Sequence, residues 1–381
     1  MKRKILTVVI SLLVVVLLFL LSGPLLVRLG VRPYYIQWNG ESIKLVRGTI
    51  EPQSFPALEP GIAPSLDRDA MPVIIDTDMA GDDWMAILYL LQRPDVNVIA
   101  ITVTGTGEAH CSPGIRHALD LVMLAGHPDI PVTCGSNSPL MGNHAFPMDW
   151  RNRVDNPFGL ALPKNLNAPS TESAPELLSR LLRESPQKVH IIALGPLTNI
   201  AEAFDADDTL GKNLQMLTIM GGSVNARGNV GPSLNIENKY AEWNIYADPH
   251  AAAVVFASVT PITLVPLDAT HYAPVTMDLY ERMKNDRTTP AAEFVYRTLT
   301  QKENDIRQDW FYFWDSLTAA IVTDKSLANF ENLQMIVIED EGPDSGRTLV
   351  RSDGQMIRVA TWANQARFEK IFLDTLNGRL P

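Results

Sequence analysis

Residues 73–86 read VIIDTDMAGDDWMA, a buried-looking apolar run that ends in Asp76, Asp78, Asp82 and Asp83. Carboxylates this close repel one another, and burial further disfavours their ionised forms. Something must compensate. One aspartate could cap the helix that follows, and a second could meet its dipole; neither accounts for four. Carboxylate oxygens without histidine or cysteine suit a hard cation, calcium or magnesium, better than zinc. A second chemistry open to the DTD triplet is an aspartyl-phosphate intermediate. The pair Asp82-Asp83 opening the helix, and the lack of a Gly-rich phosphate cradle, weigh against that.

The elements that must hold these carboxylates are legible as alternating runs. VIIDTD is followed by DDWMAILYLLQR, VNVIAITVTG by IRHALDLVMLAG, and VHIIALG by PLTNIAEAF, with LQMLTIMGG and ITLVPLD as further strands. This alternation predicts an α/β fold: an open, mostly parallel, Rossmann-like sheet flanked by helices, in one large domain over 71–381. Asp76 and Asp78 then fall at the carboxyl end of the first strand, where such sheets bind ligands. The net charge of -11 speaks against non-specific nucleic-acid binding.

Two segments precede that domain. Residues 5–27 carry no charge and follow Lys2, Arg3 and Lys4. A run of about 20 apolar residues suffices to span a membrane. Residues 1–28 are therefore expected to be an uncleaved transmembrane anchor with the catalytic domain outside the cytoplasm; a signal peptide cleaved before secretion is the alternative. Residues 29–70, with five prolines, read as a spacer or as a segment lying along the domain surface. Cys111 and Cys134 either pair or stay as two buried thiols; their spacing does not suit a metal site.

Five stretches together resemble the inosine-uridine-preferring nucleoside hydrolase family, in that family's order. They are D-x-D-x-x-x-D-D at 76–83, ALGPLTNIA at 193–201, IMGGSVNARGNV at 219–230, AEWNIYADPHAA at 241–252 and WDSLTAA at 314–320. The resemblance spans about residues 71–378. It implies hydrolysis of the N-glycosidic bond of ribonucleosides with one calcium ion at the C-terminal edge of the sheet. Asp78, Asp83, Asp315 and the backbone carbonyl of Leu194 would be its ligands, and Asp78 would also take the proton from the attacking water. Asp82, Glu242 and Asn244 would hold the ribose hydroxyls with help from Asn229, while Asp76 orients the residues around it. Glycosidic cleavage passes through an oxocarbenium-like state, which nearby carboxylates stabilise. Relatives are commonly dimers or tetramers, so a homo-oligomer is a further expectation.

The chain departs from that pattern in three places. Met79-Ala80-Gly81 stands where Pro-Gly is common, displacing the glycine by one position. GTGEAH at 105–110 lacks an asparagine that binds nucleoside; Glu108 or Thr106 replaces it, or the loop is structural. Trp314-Asp315 replaces His-Asp, which resembles the purine-preferring branch, where tryptophan stacks on the base. Trp150 is the candidate for a second stacking ring, with core packing the alternative for both tryptophans. Among the histidines, His271 is expected to be a hydrogen-bonded structural residue, and His110 is the only other candidate acid.

Overall fold

The computed structural model describes residues 55–380, together with the strands β1 (Tyr34–Trp38) and β2 (Ile43–Arg47). These two strands pair antiparallel, Tyr34 opposite Arg47, and belong to a unit separate from the compact body Ala57–Pro381. The apolar segment 5–27 lies outside the described residues, and among those described no helix is long and apolar enough to cross a membrane. The compact body begins at Ala57, before Met71: Gly61 N–H donates to Leu124 O at 2.8 Å, and Asp67 N–H to Pro94 O at 2.8 Å. Part of the Pro-rich stretch is thus laid along the domain surface.

The body is built on nine strands: β3 (Met71–Thr77), β4 (Val96–Val103), β5 (Val132–Cys134), β6 (Val189–Ala193), β7 (Leu214–Met220), β8 (Ile262–Val265), β9 (Ala328–Val337), β10 (Thr348–Val350) and β11 (Gln355–Ala363). Their order in the sheet is β10-β9-β11-β8-β7-β6-β3-β4-β5. The seven strands from β11 to β5 run parallel, and β9 and β10 add an antiparallel edge. The expected mostly parallel sheet is therefore present. The antiparallel edge goes beyond it, because the half-exposed pattern of β9 lacks the apolar run that marks a central strand.

From β3 the chain steps outward to β4 and β5, then returns to lay β6 on the other side of β3. The crevice beyond the carboxyl ends of β3 and β6 is the topological switch point, the place where open α/β sheets bind ligands. Five helices matter to it: α1 (Gly81–Leu91), α2 (Cys111–Leu124), α3 (Trp243–Ala247), α4 (Pro290–Gln301) and α5 (Trp314–Thr323). Strands β3 and β6 are buried along the stretches that face helices on both sides, so the carboxylates at their ends sit on a rigid base. Cys111 at the start of α2 and Cys134 at the end of β5 form a disulfide, their Cα atoms 5.7 Å apart. The pairing left open by sequence is resolved, and it fastens the loop 104–110 to the neighbouring strand.

Candidate active site

The turn between β3 and α1 brings the aspartates together. Asp83, in the first turn of α1, reaches back to accept from Ala80 N–H at 3.1 Å and Asp78 N–H at 3.2 Å, and Thr77 Oγ1 donates to it as well. It does what a capping side chain does, while its position at the switch point serves the site. Met79 lies between, buried, at φ 60°, a left-handed conformation that is costly for a side-chain-bearing residue. Its N–H donates to Thr77 Oγ1 at 3.0 Å, and its carbonyl accepts from Trp84 Nε1 at 2.8 Å. This is where the displaced glycine tells: with Gly81 one position later, the left-handed position is taken by a methionine.

Asp78 is enclosed by two loops that approach closely. A Cβ on Gly195 would lie 2.7 Å from Asp78 Cβ, and one on Gly107 would collide with it outright. Asp78 Oδ2 accepts from Glu108 N–H at 3.0 Å, and Oδ1 from Ala80 N–H at 3.3 Å. Burial raises its pKa, while these donors and the nearby Arg151 pull it back. Asp76 faces away into the sheet, accepting from Thr102 Oγ1 at 2.6 Å and Asn199 Nδ2 at 2.7 Å; burial pushes it to about 7. It does not line the pocket, and its side chain ties β3 to Thr102 of β4 and to Asn199.

One carboxylate oxygen each from Asp82, Asp83 and Asp315 lie within 4.8 Å of one another. Burial pushes Asp82 up to about 6 and raises Asp83 and Asp315 well above the usual carboxylate range, with mutual repulsion adding to it. Asp315 Oδ1 is buried and meets no donor. An all-oxygen trio with an unspent buried oxygen fits a divalent cation, which would offset both the repulsion and the desolvation. The trio differs from the ligand set expected from sequence in containing Asp82 and not Asp78, whose N–H donates to Asp83 and whose charge acts on all three. The Leu194 carbonyl accepts from Asn244 Nδ2 at 3.0 Å, which leaves one lone pair free.

The pocket above holds about 840 Å³ and is lined by Asp78, Asp82, Asp83, Glu108, Trp150, Asn229, Glu242, Asn244 and Trp314 among others. Glu242 caps α3, accepting from Asn244 N–H at 3.0 Å and from Gly222 N–H at 2.9 Å, and burial pushes it to about 7. Asn229 Oδ1 and Trp314 Nε1 are buried without partners. Trp314 begins α5 directly before Asp315, so one residue faces the pocket while the next enters the acidic trio. Trp150 also reaches the pocket, though its ring packs 5.4 Å from that of Trp243, so the core and pocket readings both apply.

In the loop 104–110 Glu108 is the residue that lines the pocket, its pKa raised to about 8 by burial and by Asp78. Thr106 turns inward to Thr104 and Thr198. His110 is not among the lining residues: its Nδ1 lies 2.6 Å from Asp155 Oδ2, so it is engaged as part of the start of α2. His271 does line the pocket, 5.2 Å from the Tyr312 ring, without the hydrogen bond expected of a structural histidine. Phe158, Lys302, Phe311 and Tyr312 also line it. No motif marks them, since they come from short helices and loops with no recurring spacing.

A family model for inosine-uridine preferring nucleoside hydrolase matches residues 73–370. The chain is 37% identical over 231 residues to the pyrimidine-specific ribonucleoside hydrolase RihA of Citrobacter koseri, a match covering 59% of this chain and 70% of that enzyme. It is 39% identical over 198 residues to uridine nucleosidase 1 of Arabidopsis thaliana, covering 52% of this chain and 56% of that one. Among solved structures it resembles the purine-preferring ribonucleoside hydrolase of Gardnerella vaginalis, with TM-score 0.70, 26% identity, 81% of this chain and 98% of the other. The inosine-uridine preferring nucleoside hydrolase of Bacillus anthracis superposes with TM-score 0.71 at 26% identity, over 81% of this chain and 99% of that one. With most of its length inside the family model and its acidic trio at the switch point of the sheet, this chain belongs to the inosine-uridine preferring nucleoside hydrolase family and is a nucleoside hydrolase.

Proposed function

We propose that this nucleoside hydrolase is calcium-dependent and prefers purine ribonucleosides, releasing ribose and the free base. The observation that carries the reading is the adjacency of Trp314 and Asp315 at the start of α5. A flat aromatic face beside the acidic floor suits a stacked purine. Asp82, Asp83 and Asp315 would hold the cation, with Asp78 and the Leu194 carbonyl at their side; when bound, it orients and acidifies water. Asp78 is the proton acceptor, kept in place by the Glu108 and Ala80 N–H groups. Glu242, Asn244 and Asn229 hold the ribose, and the surrounding carboxylates stabilise the positive charge that spreads over the ring.

A second reading, pyrimidine ribosides, is favoured by two relatives similar in sequence, a pyrimidine-specific ribonucleoside hydrolase and a uridine nucleosidase. One assay separates the two: base release from inosine, adenosine, guanosine, cytidine and uridine, with and without a calcium chelator. Faster release from uridine than from inosine removes the purine assignment. Activity that survives chelation removes the metal.

The domain is further proposed to act outside the cytoplasm, tethered by residues 1–28. A disulfide in the described body and the basic-then-apolar N-terminus support this location. Recovery of the full chain in the soluble cytoplasmic fraction would sink it, and recovery from the external fluid lacking its first ~25 residues would favour a cleaved signal.

A further inference from the structure

Lys302 occupies the elbow where α4 ends and the short helix Glu303–Arg307 begins. Its backbone is fixed there by its N–H bond to Leu299 O at 3.0 Å, and a cation at a helix C-terminus is electrostatically favoured. The side chain then runs into the pocket, 23% exposed. Nζ lies 5.0 Å from the centroid of the Phe158 ring and 5.5 Å from that of Phe311. Phe311 in turn meets Trp314 edge-on, with centroids 5.5 Å apart. The ammonium is therefore part of the same aromatic wall that carries the proposed stacking tryptophan.

Its charge is only loosely matched. The nearest carboxylate, Asp305, is 3.8 Å away and half-exposed, beyond hydrogen-bond reach. Among the described residues no acceptor takes any of its three N–H groups. Arg153 and Arg227 also line the pocket, yet both are exposed, and water screens such charges. Burial lowers the pKa of His271 and so disfavours its charged form, and His110 is engaged with Asp155 outside the pocket. The wall that would face a base thus has one half-buried cation with donors to spare, set among aromatic rings.

Resting on the nucleoside-hydrolase reading, we propose that Lys302 is the residue that contacts the leaving base and stabilises the negative charge it acquires. In the step concerned, the bond between the anomeric carbon and the base nitrogen breaks, and its electron pair goes to the base. The water oxygen forms the new bond to that carbon, and the water proton passes to Asp78. The departing base, held by an N–H of Lys302 to one of its oxygen or nitrogen acceptors, takes its own proton from solvent. Stacking on Trp314 and hydrogen bonding to Lys302 then divide the work a histidine does elsewhere in the family.

The test compares turnover numbers on inosine, uridine and a nitrophenyl riboside for the unmodified protein, Lys302→Met and Lys302→Arg. Methionine keeps an unbranched chain of nearly the same length but removes the charged Nζ that lies over both phenylalanine rings; arginine retains a charge. Lys302→Met is expected to lower kcat on the better nucleoside by about 10- to 100-fold, at or below the ~10²–10³-fold cost of losing one preorganised donor because Trp314 stacking remains. The nitrophenyl riboside, whose leaving group carries its own charge well, should change by less than about 3-fold. Lys302→Arg should recover most of the nucleoside activity. Unchanged nucleoside turnover in Lys302→Met, or equal losses on both substrate types, overturns the assignment while the hydrolase reading stands. An unmodified protein that frees no base from any riboside overturns both.

Discussion

The floor of the pocket and its wall are built on opposite plans. Floor residues sit at the ends of parallel strands or in the first turns of helices, almost fully buried, and their carboxylates are tied by backbone N–H groups: Asp78 by two, Asp83 by two, Glu242 by three. Wall residues come from short helices and connecting segments. Trp310 is 70% exposed, and the side chains of Trp314 and Lys302 have no hydrogen-bond partner among the described residues. A floor that rigid can hold charge in one geometry through a reaction, which is what transition-state stabilisation requires. The wall, held mainly by ring contacts, can change without disturbing the fold. On the proposed function, the chemistry belongs to the floor and the choice of base to the wall.

Changing the floor should have the largest effect. Asp78→Asn keeps the volume but removes the proton acceptor, and hydrolysis of every nucleoside and of a nitrophenyl riboside alike should fall by at least ~10²-fold. Near-normal turnover by this variant would end the floor's claim to the chemistry. Changing the wall should be selective. Trp314→Ala leaves Asp315 in place, so calcium binding by calorimetry should persist. Base stacking worth ~1–3 kcal/mol implies about a 5- to 150-fold loss on purine nucleosides and far less on the nitrophenyl riboside. Equal losses would make Trp314 a packing residue whose removal disturbs the floor.

The same contrast explains what could be read from the sequence. Asp78, Asp82 and Asp83 were legible from their spacing across a strand end and a helix start, whereas Glu242, Asn244 and Asp315 were legible only through the motifs that resemble the family; all six line the pocket or the acidic trio. The parallel sheet was legible from its continuous apolar runs, as in β6, buried throughout. Strand β9 was not, because its mixed burial leaves no period to detect. Lys302, Phe158 and Phe311 were not, because their nearness to Trp314 depends on how separate elements pack. Asp82 was assigned to the ribose alone; its convergence with Asp83 and Asp315 depends on α5 lying against α1, which no local pattern shows.

The floor can also be tested by pH without a substrate. Burial raises Asp76 and Glu242 to about 7 and Asp82 to about 6, above their ordinary values. A carboxyl raised on folding contributes stability that is present at low pH and lost as pH rises through the folded value. These three carboxyls should therefore add about 3 kcal/mol of unfolding free energy to the chelated protein between pH 8 and pH 6, read from urea titrations. Saturating calcium on Asp82, Asp83 and Asp315 keeps them ionised and should remove their share of that slope, leaving the share of Asp76 and Glu242. An identical slope with and without calcium would mean that the ion does not sit on the acidic trio.

The smallest effect is expected at the opposite end of β6, four residues before the Leu194 carbonyl. His190 is buried there, with Nε2 2.8 Å from Thr218 Oγ1 on β7. Burial, and secondarily Lys325, lower its pKa from 6.5 to about 4. The sign is opposite to that of the floor: the folded protein holds the neutral ring, so stability is full above the unfolded value and is lost as pH falls from 6.5 toward 4. Between pH 7.5 and pH 6 the loss should be about 1 kcal/mol. His190→Gln can keep a bond to Thr218 but does not titrate, so in saturating calcium its urea midpoint should be less sensitive to pH than that of the unmodified protein. Nucleoside turnover at neutral pH should be the same in both, because His190 lies at the far end of the strand from the pocket. Equal pH slopes would show that the ring escapes its burial penalty by opening locally, and a drop in turnover would show that the two ends of β6 are less independent than the rigid sheet implies.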